Sequence, residues 1–260
     1  MTLIDGLILG LVEGLTEFLP VSSTGHLIVV RDLLGLQISS GLAVDAVLNM
    51  AAVLAVVVYF FRDIVDIVVG TLRGEREERT LLFALILGTI PAAAVGFFAE
   101  GAIATTFRSS LWVAAGLIAG SALFIIGERY ANGRAELSAK KGFLVGLFQA
   151  LALIPGMSRS GMSIVGGLLV GLTREAATRF AFLLSAPLIF GAGLKGLLEL
   201  NQSGTLGADA TPIAIAALAA FISGFTAIHF MLKFLRTHSL LPFVWYRLGL
   251  AALIILAASL

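Results

Sequence analysis

The sequence predicts an all-α integral membrane protein, with about six transmembrane helices and two re-entrant helix-break-helix hairpins in an inverted repeat. Three observations predict it. The first is composition: of 260 residues, 59% are hydrophobic and only 13% charged, whereas soluble domains carry about a quarter charged residues. The second is the grouping of the apolar residues into long runs, at 51–61, 81–98, 111–127 and 213–225. Roughly 20 such residues cross a hydrocarbon core of about 30 Å. Backbone groups there must be satisfied internally, and the runs lack the alternation of a transmembrane barrel, so helices are the expected form. The third is a pair of proline-broken segments that resemble each other at a constant spacing.

Thr2, with Asp5 three residues on, caps a first helix that stops near Pro20. A short second helix runs from about Thr24 to Leu36, and neither is long enough to span. They form one hairpin, with its break at Pro20-Val21-Ser22-Ser23. Full spans are expected at about 44–61, 80–99 and 111–128. A second hairpin occupies 141–154 and 160–172 around Pro155-Gly156-Met157-Ser158. Three more spans lie near 176–199, 212–232 and 242–259, and the charged run from Arg73 to Arg79 reads as a solvated loop. The N-terminal segment has no basic n-region and carries Asp5, Glu13 and Glu17, so it reads as part of the fold rather than a signal peptide.

At an offset of 136, Gly10 matches Gly146, Leu11 matches Leu147 and Leu15 matches Leu151. Ser22 then matches Ser158, and Gly25 matches Gly161; Glu13 falls on Gln149 and Thr24 on Ser160. The chain thus reads as one domain, 1–260, with repeat halves of about 1–128 and 129–260. Broken helices at corresponding places in two halves point to a binding site at their interface. Basic residues test the orientation. If the two hairpins enter from opposite sides, one side holds Arg62, Arg73, Arg76, Arg79, Arg129, Arg134, Lys140, Lys141, Arg174, Arg179, Lys233, Arg236 and Arg247. The other holds only Arg31, Arg108 and Lys195. The richer side is expected to be cytoplasmic.

Glu13 and Glu17 are i,i+4 neighbours and project from one helix face. Gly6, Gly10 and Gly14 recur every four residues and leave a groove for a close helix neighbour, inside the fold or in a homodimer. An ionisable side chain at bilayer depth costs roughly 2.5–3.5 kcal/mol, so Glu13, Glu17 and Arg159 together cost about 8 kcal/mol. That is comparable to a whole domain's stability of about 5–15 kcal/mol, which favours a wet, functional site over a structural ion pair. Around the breaks sit Ser22, Ser23, Thr24 and His26, and then Ser158, Arg159, Ser160 and Ser163. The free N–H groups of half-helix N-termini cradle phosphate, and Arg159 can bind it in a bidentate manner. A hydroxyl becomes a nucleophile beside a base, and His26 can serve as base or acid near neutral pH. Two carboxylates beside a diphosphate suit a hard divalent cation, magnesium or calcium. The net charge of +1 gives no reason to expect nucleic acid, and zero cysteines exclude disulfides and thiolate metal sites. Composition and spacing alone reach an anion site in a membrane.

Glu13-Gly-Leu-Thr-Glu17-Phe-Leu-Pro-Val-Ser-Ser-Thr-Gly-His26 resembles the signature of the undecaprenyl-diphosphate phosphatase family, membrane enzymes linked to bacitracin resistance. Pro155-Gly-Met-Ser-Arg-Ser-Gly-Met-Ser163 resembles its second signature, and Ile90-Pro-Ala-Ala-Ala-Val-Gly96 and Leu241-Pro-Phe-Val-Trp-Tyr-Arg247 also fit. The resemblance implies removal of the terminal phosphate from a polyprenyl diphosphate lipid, recycling the cell-wall lipid carrier. It also implies a divalent-metal requirement and a site in the inner (plasma) membrane opening to the extracytoplasmic side. Carried over by position, Glu13 and Glu17 are the acidic pair and candidate metal ligands, His26 the motif histidine, and Ser23 a candidate nucleophile. Arg159 serves catalysis and, with Ser22, Thr24, Ser158, Ser160 and Ser163, substrate binding. Ser163, Asn49 and Ala181 stand where threonine, glutamine and serine are usual. A rival class is a transporter or flippase, since inverted repeats with broken helices are also a transporter feature.

Overall fold

Thr2 starts the chain's first helix as its spacing predicts. In the computed structural model, which describes residues 1–33, 35, 41–106, 109–131, 133–203 and 210–259, its Oγ1 accepts from Asp5 N at 3.2 Å. Its own N–H donates to Asp5 Oδ2 at 2.7 Å, closing a capping box. Helix α1 (Leu3–Phe18) ends two residues before Pro20, and α2 (Ser23–Leu33) follows. The expected end of α2 at Leu36 lies outside the described residues. Next come α3 (Gly41–Tyr59), α4 (Phe61–Arg73), α5 (Arg76–Thr106) and α6 (Ser110–Glu128). The second hairpin is α7 (Ala139–Leu151) and α8 (Arg159–Leu169). It precedes α9 (Arg174–Ser203), α10 (Ala210–Phe234) and α11 (Leu241–Ser259).

The protein is a multi-pass, all-helical membrane protein. Helices α5, α6, α9, α10 and α11 are long and apolar enough to cross a bilayer, and α3 with α4, bent by 66°, makes up to a sixth span. The bend corrects the sequence reading, which carried one span through 44–61 and no helix after it. Helix α4 is amphipathic. Phe61, Val65, Val68 and Leu72 are exposed along it while Ile67 and Gly70 are buried, a pattern suited to the membrane interface. The expected loop at 73–79 contracts to a turn. Gly74, at φ 83°, closes α4, and α5 begins at Arg76.

Helix α1 packs on α10, α7 on α5, α3 on α9, and α6 on α11. Exchanging α1 with α7, α5 with α10, α3 with α9 and α6 with α11 maps this set of pairings onto itself, and α4 has no counterpart. The glycine stripe is used inside the fold. A Cβ at Gly6, Gly10 or Gly14 would strike Pro212 O, Ala216 O or Ser223 Oγ of α10, so only glycine permits this approach. At the α6 end, Glu128 binds Arg174 through both carboxylate oxygens (3.1 and 2.6 Å to Oε2, 3.3 Å to Oε1) and accepts from Leu240 N at 2.6 Å. That carboxylate fixes the starts of α9 and α11 against α6.

Candidate active site

The two breaks share one backbone device. Ser22 and Ser158 have φ of 74° and 76°, and no other non-glycine described residue has a positive φ. The left-handed region costs a residue with a Cβ roughly 1–2 kcal/mol. Each serine offsets part of this as a helix N-cap. Ser22 Oγ accepts from Gly25 N at 3.4 Å, and Ser158 Oγ from Gly161 N at 3.3 Å. The repeat seen in the sequence is therefore a repeat of conformation: a proline, a left-handed serine, then a short helix whose first N–H groups face the break.

Between the breaks lies a cavity of about 70 Å³, lined by Thr16, Glu17, Ser22, Ser23 and Thr24 from one hairpin and by residues 152–156, Ser158 and Arg159 from the other. Glu17 is its centre. Ser23 Oγ donates to Glu17 Oε2 at 2.7 Å, and Arg159 Nε lies 3.2 Å from Oε1. Arg159 Nη2 also donates to Asn49 Oδ1 at 3.3 Å, so α1, α3 and α8 meet at one guanidinium, and Ser23 joins α2 to it through Glu17. An arginine has five N–H donors, and two partners leave donors for an anion.

The sequence-predicted residues divide into two sets. Glu17, Ser22, Ser23, Thr24, Ser158 and Arg159 line the cavity; Glu13, His26, Ser160 and Ser163 do not. Ser160 instead ties the breaks together, with its Oγ 3.2 Å from Ser158 Oγ and donating to Leu19 O at 3.4 Å. His26 is held by other groups. Its Nδ1 lies 2.8 Å from Ser22 O, which can only accept, so Nδ1 carries the proton and Nε2 accepts from the Tyr246 hydroxyl at 2.6 Å. Glu13 and Ser163 are buried with Glu13 Oε2 and Ser163 Oγ unpartnered, as are both polar atoms of Gln149, the repeat match of Glu13.

The donor set gives a test of fit for a divalent cation. Both Glu17 oxygens are engaged, whereas Glu13 Oε2 is a buried carboxylate oxygen without a partner, a costly state that a cation would relieve. Among the described residues no three of Asp, Glu and His come together. Glu13 and Glu17 therefore fit an ion only if phosphate oxygens and water complete its shell.

Sequence reasoning missed two residues here. Tyr246, given no role in the site by the sequence, stacks on His26 with ring centroids 5.5 Å apart. Arg247, counted among the cytoplasmic charges, is wholly buried and donates to carbonyls of both breaks. The signal for Arg247 was its place inside an apolar span, where a charge is costly and usually functional.

A family profile described as "Bacitracin resistance protein BacA" matches residues 6–253. A protein named undecaprenyl-diphosphatase from Thermobifida fusca (strain YX) is 40% identical over 269 residues, covering 100% of this chain and 91% of its own length. One of the same name from Pelobacter propionicus (strain DSM 2379 / NBRC 103807 / OttBd1) is 41% identical over 262 residues, 95% of this chain and 94% of the relative. Another, from Trichlorobacter lovleyi (strain ATCC BAA-1151 / DSM 17278 / SZ), is 42% identical over 262 residues, 96% of this chain and 94% of the relative.

Proposed function

The chain belongs to the bacitracin resistance protein BacA family, and from that premise we propose that it hydrolyses undecaprenyl diphosphate to the monophosphate and inorganic phosphate. The observation that carries this reading is the linked group Ser23–Glu17–Arg159 in a cavity between two half-helix N-termini, within a membrane protein. An anion carrier needs the arginine and the N–H groups; it does not need a hydroxyl donating to a buried carboxylate.

The proposed chemistry follows from those contacts. Arg159 and the N–H groups at the starts of α2 and α8 hold the terminal phosphate and stabilise the charge on the transferring phosphoryl. Glu17 Oε2 takes the Ser23 proton as Oγ attacks phosphorus; the bond to the bridging oxygen breaks, and the lipid monophosphate leaves. Water then hydrolyses the phosphoserine, releasing phosphate and returning the proton to Ser23. Glu17 is the base this geometry supports, because Ser23 donates to it and His26 contacts Ser22 O and Tyr246 instead. Glu13, through its unpartnered Oε2, and Glu17, by sharing an oxygen with its present partner, would hold a divalent cation, magnesium or calcium, which when bound supplies positive charge against the diphosphate. Chelation is then expected to abolish release, and added magnesium or calcium to restore it; release unaffected by chelator would remove the ion from the reading.

The proposed setting is the inner membrane, with the cavity open to the extracytoplasmic side, on the strength of the basic residues at the opposite helix ends. A homodimer finds no support in the glycine stripe, which α10 already covers. The test separates hydrolysis from transport. Purified protein in liposomes is given undecaprenyl diphosphate, and both phosphate release and lipid translocation are followed. Release with a phosphoserine trapped at Ser23 is expected, and its loss in Ser23→Ala. Full activity in Ser23→Ala would overturn the covalent route, and translocation without release would make the protein a flippase.

A further inference from the structure

Arg247 lies in the second turn of α11 with 0% exposure. It donates to Pro20 O at 3.3 Å in the first break, and to Gly156 O at 3.0 Å and Met157 O at 3.2 Å in the second. Further bonds reach Gly116 O (3.4 Å), Leu117 O (3.2 Å) and Ser121 Oγ (3.2 Å) of α6, and the guanidinium carbon sits 4.6 Å from the centre of the Phe124 ring. Every one of these partners is a neutral group. Burying a cation among neutral partners is costly, and apolar residues often replace such a group without loss of stability. Bulk burial therefore does not account for an arginine here, but the pattern of its acceptors does: one side chain gathers carbonyls that the two helix breaks leave free.

We propose that Arg247 is a positioning residue for the reaction, clamping the two hairpin breaks together and holding the Met157–Ser158 peptide in its turned orientation. The peptide is trans, so with its carbonyl drawn to Arg247 the Ser158 N–H is directed the opposite way. Ser158 lines the cavity beside Arg159. Its left-handed φ of 76° persists only where surrounding contacts over-determine it, and the bond to the preceding carbonyl is such a contact. The Pro20 bond sets the other break, and with it the Ser23–Glu17 pair, in register with Arg159. Gly120 of α6 makes the space, since a Cβ there would strike Arg247 Nη2.

This inference rests on the diphosphatase reading, and an inactive native protein would count against that reading rather than against the clamp. With active native protein, kcat and KM for phosphate release are measured in Arg247→Lys, Arg247→Met, Arg247→Ala and Gly120→Ala, beside thermal unfolding in detergent. Misplacing reacting groups by about 1 Å can cost on the order of a hundredfold. A kcat loss of about tenfold to a hundredfold is expected in folded variants, with KM within about twofold, and partial recovery of kcat in Arg247→Ala on adding guanidinium. Folded Arg247→Met with native kcat would overturn the proposal. So would losses that follow the fall in melting temperature and do not respond to guanidinium. If neither Arg247→Lys nor Arg247→Met folds, Gly120→Ala decides, and a native kcat there is the overturning result.

Discussion

At the scale of single residues, Glu17 carries two contacts that a glutamine cannot both replace. Glu17→Gln removes the acceptor for the Ser23 proton and the counter-charge of Arg159. Loss of a positioned base costs about 10²–10⁴-fold, so phosphate release is expected to fall by at least about a hundredfold; a fall of less than tenfold would contradict the assignment of Glu17 as base. Ser22 offers a stability test. Its hydroxyl caps α2 while its Cβ sits in a left-handed backbone. Ser22→Ala keeps the strain and loses the cap, for about 1 kcal/mol of destabilisation. Ser22→Gly relieves the strain and loses only a few tenths for the cap. In thermal unfolding the glycine variant is expected to melt above the alanine variant, and the reverse order would rule out the strained backbone. The identity of the acidic pair and of Arg159 was legible from their cost in a membrane. That Glu17 meets Ser23 and Arg159 while Glu13 does not line the cavity was not, because i,i+4 spacing puts two carboxylates on one face without saying which of them a second hairpin will reach.

Among the elements, the broken hairpins and the glycine stripe were the most readable features, since prolines and four-residue spacing act locally. The stripe's partner was not local. Gly10 meets Ala216 and Ala219 of α10, far along the chain. Gly10→Leu inserts a bulky side chain where even a Cβ collides with backbone, and overpacking of this kind costs about 1–3 kcal/mol or more. A lower melting temperature or loss of folded protein is expected; an unchanged melting curve would mean that α1 and α10 do not pack as described. Helix α4 escaped the sequence reading for a physical reason. Its apolar residues alternate with Arg62, Asp63, Asp66 and Arg73, so it fails as a span, and only its 66° bend from α3 gives it a separate place. The same periodic apolar pattern makes a span or an interfacial helix according to its flanks, and between the expected span at 44–61 and the expected loop at 73–79 it pointed to no element.

For the whole molecule, the helix pairings that exchange α1 with α7 and α5 with α10 place two broken hairpins against each other and one cavity between them. Orientation follows from charge. The native chain has no cysteine, so a single Glu75→Cys, in the exposed turn between α4 and α5, reports its side cleanly. A membrane-impermeant thiol reagent is expected to label it in inverted vesicles and not in intact cells, and the opposite labelling would reverse the topology. The proposed place of lipid diphosphate hydrolysis is the cavity between the breaks. The most direct measurement is phosphate release from undecaprenyl diphosphate by detergent-purified protein, with and without divalent metal, beside Arg159→Ala and Glu17→Ala shown to be folded. Metal-dependent release by the native protein is expected, falling by about a hundredfold or more in both variants. Native-level release in either folded variant would contradict it.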